Sequence, residues 1–118
     1  MIASGVVVYV SCQPVDFRKG AASLMALVRD GGLDPFSGAL FVFRSKRADR
    51  IRIVWWDGTG VCLYAKILEE NGFCWPAATV ARIRLDHAQL MALVAGRDWK
   101  NRLVVGRSAM RARTSASS

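Results

Sequence analysis

The stretch LFVFRSKRADRIRIVWWDGTGVCLYAKILEENGFCWP, Leu40 to Pro76, decides the fold because it contains three consecutive strand patterns. Leu40–Phe43 is a continuous run of apolar residues that favour strands, and Val61–Leu68 is another strand-forming segment. Between them, Arg50–Trp56 alternates with the period of two that is expected of a strand. Ile51, Ile53 and Trp55 fall on one face, and Arg50, Arg52, Val54 and Trp56 fall on the other. The pattern predicts a meander of three antiparallel strands.

Two turns join these strands and a third follows them. Arg44–Asp49 is polar and has the length of a hairpin connection. Asp57-Gly58 closes the second hairpin, because Asp and Gly tolerate the positive φ that a tight turn requires. Asn71-Gly72 is the third turn signal. The first connection therefore presents a cluster of cations.

One strand and one helix precede the meander. Val6–Val10 is short and β-branched, which predicts a strand that joins the sheet, and Pro14 ends it. Asp16 is the predicted cap of a helix that runs to about Arg29. Gly31-Gly32 then supplies a left-handed stop.

Another strand and helix follow the meander. Val80–Leu85 is the strand, and Asp86 with Gln89 forms a capping box for a helix that ends at Ala95. The order β-α-β-β-β-β-α predicts an α+β domain, a mostly antiparallel sheet with helices on one face. We expect this single domain to cover residues 1–105. Residues 106–118 are too polar to bury enough surface and are predicted to form a flexible basic C-terminal tail.

The composition indicates a soluble globular protein. Its 118 residues, 53% of them apolar, are enough for one domain with its own core. No segment approaches the roughly 20 apolar residues of a membrane span, and the N-terminal apolar run lacks the basic start of a signal peptide. Cys12, Cys62 and Cys74 are odd in number and widely separated, which indicates a reducing compartment and argues against zinc. We expect a cytoplasmic protein with no metal, no other cofactor and no membrane partner.

The positive charge is concentrated in two segments. The chain has a formal net charge of +8. Segment 44–52 holds five Lys and Arg residues against one Asp, and segment 97–118 holds six against one Asp, so that the rest of the chain carries −1. This distribution favours a polyanionic partner, although a solvated loop and a solvated tail would give the same counts.

No residue pattern indicates catalysis. Asp57 follows a strand and precedes glycines, as in some phosphate-binding and metal-nuclease folds, but such a site needs further carboxylates and a hairpin turn explains the pattern. His87 is the only general base that titrates near neutrality, and a surface position at a helix start accounts for it. The sequence contains no G-x-G-x-x-G or Walker motif. We therefore expect the protein not to be an enzyme.

Nucleic-acid binding fits the residues better. Arg50 and Arg52 share a strand face with Trp56, and the adjoining loop adds further cations. Arg18 and Lys19 fall in the first turn of the predicted helix, where a bound phosphate would offset their unfavourable interaction with the helix dipole; water or a nearby carboxylate would serve equally well. The predicted DNA-binding residues are Arg18, Lys19, Arg44, Lys46, Arg47, Arg50 and Arg52.

Three segments of the chain resemble a known family. They are PVDFRKG (Pro14–Gly20), DPFSGALFVFRSKRADRIRIVWWDGTGVCLYAKILEENGFCWP (Asp34–Pro76) and LDHAQLMALVAGRDW (Leu85–Trp99), which together span most of the sequence. They closely resemble the small accessory protein, often called TnpB, of the "sixty-six" family of bacterial insertion sequences. The much larger RNA-guided nuclease that is also called TnpB is a different protein. The resemblance implies a protein encoded beside a separate DDE transposase and needed for efficient transposition, without being the catalytic subunit.

Two functions are compatible with these observations. In the first, the protein is a DNA-binding accessory factor that helps to assemble the transposase on the transposon ends. In the second, it is a protein-protein adaptor whose exposed sheet face, at Val54 and Trp56, docks the transposase or a second copy without binding DNA itself. A third hypothesis, a nuclease, requires metal-dependent cleavage that depends on Asp57. Homo-oligomerisation is left open.

Overall fold

A computed structural model describes residues 6–18, 20–69, 72–76 and 81–97. Within these residues, five strands and two helices follow the predicted order. The α+β class is confirmed, and the predicted meander is present as three consecutive antiparallel strands. The elements are β1 (Val8–Pro14), α1 (Ala21–Asp30), β2 (Leu40–Arg44), β3 (Arg50–Trp56), β4 (Val61–Ile67), β5 (Arg82–Leu85) and α2 (His87–Val94).

The strands form one sheet in the order β4-β3-β2-β1-β5. β1 runs parallel to β2, with α1 as the crossover between them, and every other neighbouring pair in this sheet is antiparallel. Val8 consequently lies opposite both Leu40 of β2 and Leu85 of β5. The sheet is therefore mostly antiparallel, as predicted.

The two helices pack on opposite faces of the sheet, so the prediction that they share one face is wrong. α2 belongs to a core with Ile51 and Ile53 of β3, whereas α1 belongs to a second core with Val54 of the same strand. Successive strand residues point to opposite faces, so these cores lie on different sides. Both sides of β3 carry apolar residues, and each therefore needs a helix to cover it. We call the two sides the α1 side and the α2 side.

The helix α1 begins later than predicted. Gly20 precedes its first turn without a side-chain cap, so Asp16 is not the helix cap. Instead, the Asp16 carboxylate accepts a hydrogen bond from the backbone N–H of Arg18 at 2.9 Å and closes a turn ahead of the helix. The helix ends as predicted, because Gly31 follows its last turn and Gly32 has a φ of 90°.

The start of α2 confirms the predicted capping box. The backbone N–H of Gln89 donates to Asp86 Oδ1 at 2.8 Å, and the backbone N–H of Asp86 donates to Gln89 Oε1 at 3.0 Å. Two otherwise unpaired N–H groups at the helix start are thereby satisfied. The helix ends at Val94, one residue short of the predicted Ala95.

Some predictions fall outside the described residues. These are Lys19, Asn71 of the third turn signal, the start of the last strand at Val80 and the tail over 106–118. Within the described parts of the chain, no helix is long and apolar enough to cross a membrane.

Candidate nucleic-acid interface

The parallel pairing of β1 and β2 brings two distant segments together at one end of the sheet. Pro14 at the end of β1 lies opposite Arg44 at the end of β2, and the backbone N–H of Val15 donates to the Arg44 carbonyl at 3.0 Å. The turn after β1, which contains Arg18, therefore lies beside the loop between β2 and β3.

A shallow groove of about 460 Å³ lies between this turn and this loop. We call it the basic groove, because four cations and two carboxylates line it. Its lining consists of Val15, Asp16, Phe17, Arg18, Ser45, Lys46, Arg47, Asp49 and Arg50. The sequence predicted each of these four cations as a DNA contact, and the structure brings them to one groove.

The loop between β2 and β3, which supplies Lys46 and Arg47, is held by hydrogen bonds. The backbone N–H of Ser45 donates to the Arg50 carbonyl at 3.2 Å. Ala48 has a φ of 62°, and its carbonyl accepts hydrogen bonds from the backbone N–H of Phe73 at 2.8 Å and from Trp75 Nε1 at 3.2 Å. These contacts fix the base of the loop and leave Lys46 and Arg47 exposed.

Arg18 is more exposed than Asp16, its partner in the same turn. Its guanidinium pairs with the Asp16 carboxylate at 2.7 Å, while 91% of its side chain is accessible. The hydrogen bond and the charge of Asp16 raise the pKa of Arg18 above its ordinary value, so the group stays charged. The pair thus fixes the guanidinium beside the basic groove and keeps it available to an anion.

Arg50 and Arg52 lie on the α1 side of β3, next to the basic groove. Arg50 is exposed, and it pairs across the strands with Ile67 of β4. The Arg52 guanidinium lies over the ring of Phe17, 4.8 Å from its centroid, and this cation–π contact links β3 to the turn that carries Arg18. Arg52 therefore stabilises one wall of the groove.

Arg44 lies on the opposite side of the sheet from Arg50 and Arg52. It pairs with Ile51 across the strands, which places it on the α2 side. Its Nε donates to the Ser45 carbonyl at 3.2 Å, its Nη2 donates to the Lys46 carbonyl at 3.2 Å, and its guanidinium lies 5.9 Å from the Trp75 ring centroid. Arg44 thus supports the backbone of the loop and does not line the basic groove.

The two predicted docking residues differ in accessibility. Val54 is fully buried in the core beneath α1, so it is not part of the surface. Trp56 is half-buried, and Phe36 contacts it edge-on with the ring centroids 5.2 Å apart. Phe36 itself is 60% exposed. This aromatic pair was not predicted from the sequence, because the contact joins residues that are far apart in the chain.

Asp57 organises the turn between β3 and β4. Its Oδ1 accepts hydrogen bonds from the Thr59 backbone N–H at 2.8 Å, the Thr59 hydroxyl at 3.0 Å and the Gly60 backbone N–H at 2.9 Å. The bonds from Thr59, then those from Gly60 and Cys62, lower the pKa of Asp57 to about 2. Its main observed contacts are those of a hairpin turn. Among the described residues, no three His, Cys, Asp or Glu side chains are grouped so that they could hold a metal ion.

Two further cations, which were not predicted as contacts from the sequence, lie on β5 at one edge of the sheet. Arg82 and Arg84 of β5 are exposed; Arg82 Nη1 donates to the Gly31 carbonyl at 3.1 Å, and the Arg84 guanidinium lies 5.9 Å from the Tyr9 ring centroid. A second, mostly apolar groove of about 270 Å³ lies beside Arg82, between β1 and α1. The alternation of Arg with Ile83 and Leu85 was the available signal that both cations share one strand face.

These features define a small α+β domain that presents a cationic groove at one end of its sheet. The family comparison agrees with the resemblance seen in the sequence. The family described as IS66 Orf2 like protein matches residues 6–103, and the chain therefore belongs to this family of insertion-sequence proteins. Membership indicates an accessory role in transposition.

Two similar proteins come from Sinorhizobium fredii (strain NBRC 101917 / NGR234). The uncharacterized protein y4jC is 44% identical over 96 residues, which cover 80% of this chain and 82% of the relative. The uncharacterized protein y4hO is 38% identical over 104 residues, which cover 86% of this chain and 90% of the relative. No solved structure matches the chain.

Proposed function

We propose that the protein is a non-catalytic, cytoplasmic accessory factor for DNA transposition that binds the DNA backbone through its basic groove. Bound in this way, it helps to assemble the transposase on the transposon ends. The observation that carries the proposal is the convergence of Arg18 with Lys46, Arg47 and Arg50 around one groove. Residues that are almost thirty positions apart in the chain supply one cationic surface, which suits a phosphate backbone better than an isolated charged loop does.

The carboxylates of the groove leave most of this charge available. Asp16 pairs with Arg18, and Asp49 Oδ1 accepts a hydrogen bond from the Ser45 hydroxyl at 3.4 Å. Lys46, Arg47 and Arg50 are exposed to solvent. Contacts between such cations and phosphates position a protein on DNA without reading its sequence. We therefore expect the groove to contribute affinity, with little preference among sequences.

The test compares two variants that lose the same charge in different places. The groove variant carries Arg18→Gln, Lys46→Gln, Arg47→Gln and Arg50→Gln. The control variant carries Arg29→Gln, Arg82→Gln, Arg84→Gln and Arg97→Gln, which are exposed positions outside the groove lining. Both keep residues 98–118, so any contribution of the basic tail is common to them. Labelled transposon-end DNA and scrambled DNA are titrated with each protein at several salt concentrations.

The salt dependence of DNA binding distinguishes phosphate contacts made by the basic groove from a general effect of positive charge. Four phosphate contacts contribute roughly −4 to the slope of log affinity against log salt concentration. We expect the groove variant to lose about this much of the wild-type slope and the control variant to keep it. Equal losses in the two variants would exclude the groove as the binding surface, and a wild-type protein that binds no DNA at low salt would exclude DNA binding altogether.

A second candidate function is a protein-protein adaptor that docks the transposase without binding DNA. The pair of Phe36 and Trp56 favours it, because an exposed aromatic ring packed against a second one is typical of an anchor at a protein interface. A Phe36→Ser variant tests it by co-purification with the transposase, with Met91→Ser, a change at another exposed apolar residue, as its control. The adaptor hypothesis requires loss of the complex in the Phe36 variant alone.

A further inference from the structure

The strand β4 forms one edge of the sheet and carries an exposed line of apolar side chains. This apolar row consists of Val61, Leu63, Ala65 and Ile67. Leu63 is 46% exposed and Ile67 is 57% exposed, although both lie on the same side of the sheet as α1. The intervening residues, such as Tyr64, contact the core on the α2 side. The helix α1 approaches β4 as well as β3, but it leaves the side chains of this row largely exposed.

The backbone groups along the outer edge of β4 have no strand partner in the part of the chain that the structure describes. Among the described residues, strand pairing for positions 61–67 is formed with β3 alone. A strand of seven residues is about 23 Å long, which is enough to pair with another strand. Edge strands are usually protected by charged side chains, proline or short length. β5 at the other edge has four residues and two exposed arginines, whereas the apolar row of β4 has no charged side chain.

We propose that β4 is a homodimerisation edge, at which two copies of the chain pair their β4 strands antiparallel about a two-fold axis at Tyr64. This axis places Val61 opposite Ile67 of the second copy, and Leu63 opposite Ala65, so the apolar row meets itself at each position. Tyr64 of one copy lies opposite Tyr64 of the second copy, on the α2 side. The pattern of the strand is thus self-complementary, as a two-fold interface requires.

The distribution of charge favours a second copy as the occupant of this edge. A chain with a net charge of +8 repels its own copies across most of its surface. At β4 the one charged side chain is Lys66, which points to the α2 side and donates to the Val94 carbonyl at 2.8 Å. The two-fold pairing places Lys66 opposite Cys62, so no like charges meet. β4 is therefore an edge where two such basic molecules meet without direct charge repulsion.

The pairing has a geometric consequence for the basic groove. Antiparallel pairing about this axis continues the sheet, so both copies present their α1 sides in the same direction. The two Arg50 residues are then separated by three strand spacings across the sheet and by six residues along it, or about 25 Å. Given the proposed DNA binding, the dimer would offer two cationic grooves to one duplex.

The test measures the oligomeric state of the full-length protein by sedimentation, without DNA. We expect the wild type to dimerise and Leu63→Lys to raise the dimer dissociation constant by at least about tenfold, because the symmetric edge then buries two unpaired ammonium groups. Met91→Lys is the control, since Met91 is an exposed apolar residue on α2, on the other side of the sheet from the apolar row. Circular dichroism verifies that both variants are folded.

A compensating change tests the register of the pairing. With the axis at Tyr64, Leu63→Lys combined with Ala65→Glu places Lys opposite Glu twice, so the double variant should dimerise more tightly than Leu63→Lys alone. A wild type that stays monomeric at its highest soluble concentration, or a Leu63→Lys variant that dimerises like the wild type, would overturn the proposal. Failure of the compensation would overturn the Tyr64 register. The variants that test dimerisation leave the residues of the basic groove unchanged. A failure of the dimer proposal can therefore be distinguished from a failure of the proposed DNA binding, which the groove variant tests.

Discussion

The two sides of the sheet use the same strands but differ in how completely they are covered. On the α2 side, Ile51 and Ile53 of β3 are fully buried with Leu90 and Leu93 of α2. On the α1 side, a helix of ten residues buries Val54 but leaves the basic groove at one end and the apolar row at one edge. The α2 side is thus the more completely covered, while the surfaces proposed for binding lie on the α1 side.

The largest expected effect is a loss of stability from the α2 side. Leu90→Ala removes a fully buried side chain and should lower the free energy of unfolding by about 2–5 kcal/mol, since it leaves a cavity. Met91→Ala changes the exposed neighbour and should alter it by less than about 0.5 kcal/mol. Urea unfolding followed by circular dichroism measures both. Similar losses in the two variants would contradict the assignment of α2 to the closed core.

A smaller effect should separate two arginines that are close in sequence but lie on different sides. Arg44→Gln removes two hydrogen bonds to loop carbonyls and a contact with Trp75, and should cost about 1–2 kcal/mol of stability. Arg50→Gln should leave stability within about 0.5 kcal/mol of the wild type, because Arg50 is exposed. Urea unfolding measures the free energy of unfolding of both variants. For DNA, Arg50→Gln should lower the salt slope by about one.

The reverse pattern would contradict the placement of Arg44 and Arg50 on different sides of the sheet. It would consist of a stable Arg44 variant with weakened DNA binding, together with a destabilised Arg50 variant. Arg44 would then act as a phosphate contact, as its position beside the loop suggested in the sequence. The structure instead predicts that any change in DNA binding by Arg44→Gln follows from its effect on the loop.

The smallest expected effect concerns the turn at Asp57 and depends on pH. Its pKa is lowered from the ordinary 3.8 to about 2 in the folded protein, so its ionised form stabilises the fold above pH 3.8. This stabilisation should decline as the pH falls from about 4 to about 2, as proton binding favours the unfolded chain. Asp57→Asn has no such titration. The difference in unfolding free energy between wild type and variant should therefore shrink over this interval, and a constant difference would contradict the assigned pKa.

Features that depend on neighbouring residues were predictable from the sequence. The alternation of β3 gave the correct side for each of its residues, and the residues of the capping box at Asp86 and Gln89 gave the start of α2. Asp57 and Gly58 gave the second hairpin, since the side-chain acceptor and the positive φ of the glycine belong to the same turn. In each case the interacting groups lie within a few residues of one another.

Features that depend on distant pairing were not predictable in this way. The parallel pairing of β1 with β2 decides that Arg18 reaches the loop at Lys46, and no local pattern indicates that contact. The same pairing makes α1 a crossover on its own side of the sheet. The predicted cap at Asp16 failed because its carboxylate closes a turn with Arg18. The cations of the site were thus identified from sequence, whereas their grouping, and the exclusion of Arg44 from the groove, required the fold.

The position of β1 within the sheet has a consequence for the order of folding. β1, which precedes the other described strands in the chain, lies between β2 and β5, so that Val8 meets one partner 32 residues later and the other 77 residues later. The meander has only local pairings and can form early, whereas such long-range pairings form slowly because the intervening chain must first be ordered. A nascent chain that ends before β5 leaves β1 as an unpaired edge. The pairing of β1 is therefore completed only when β5 has left the ribosome.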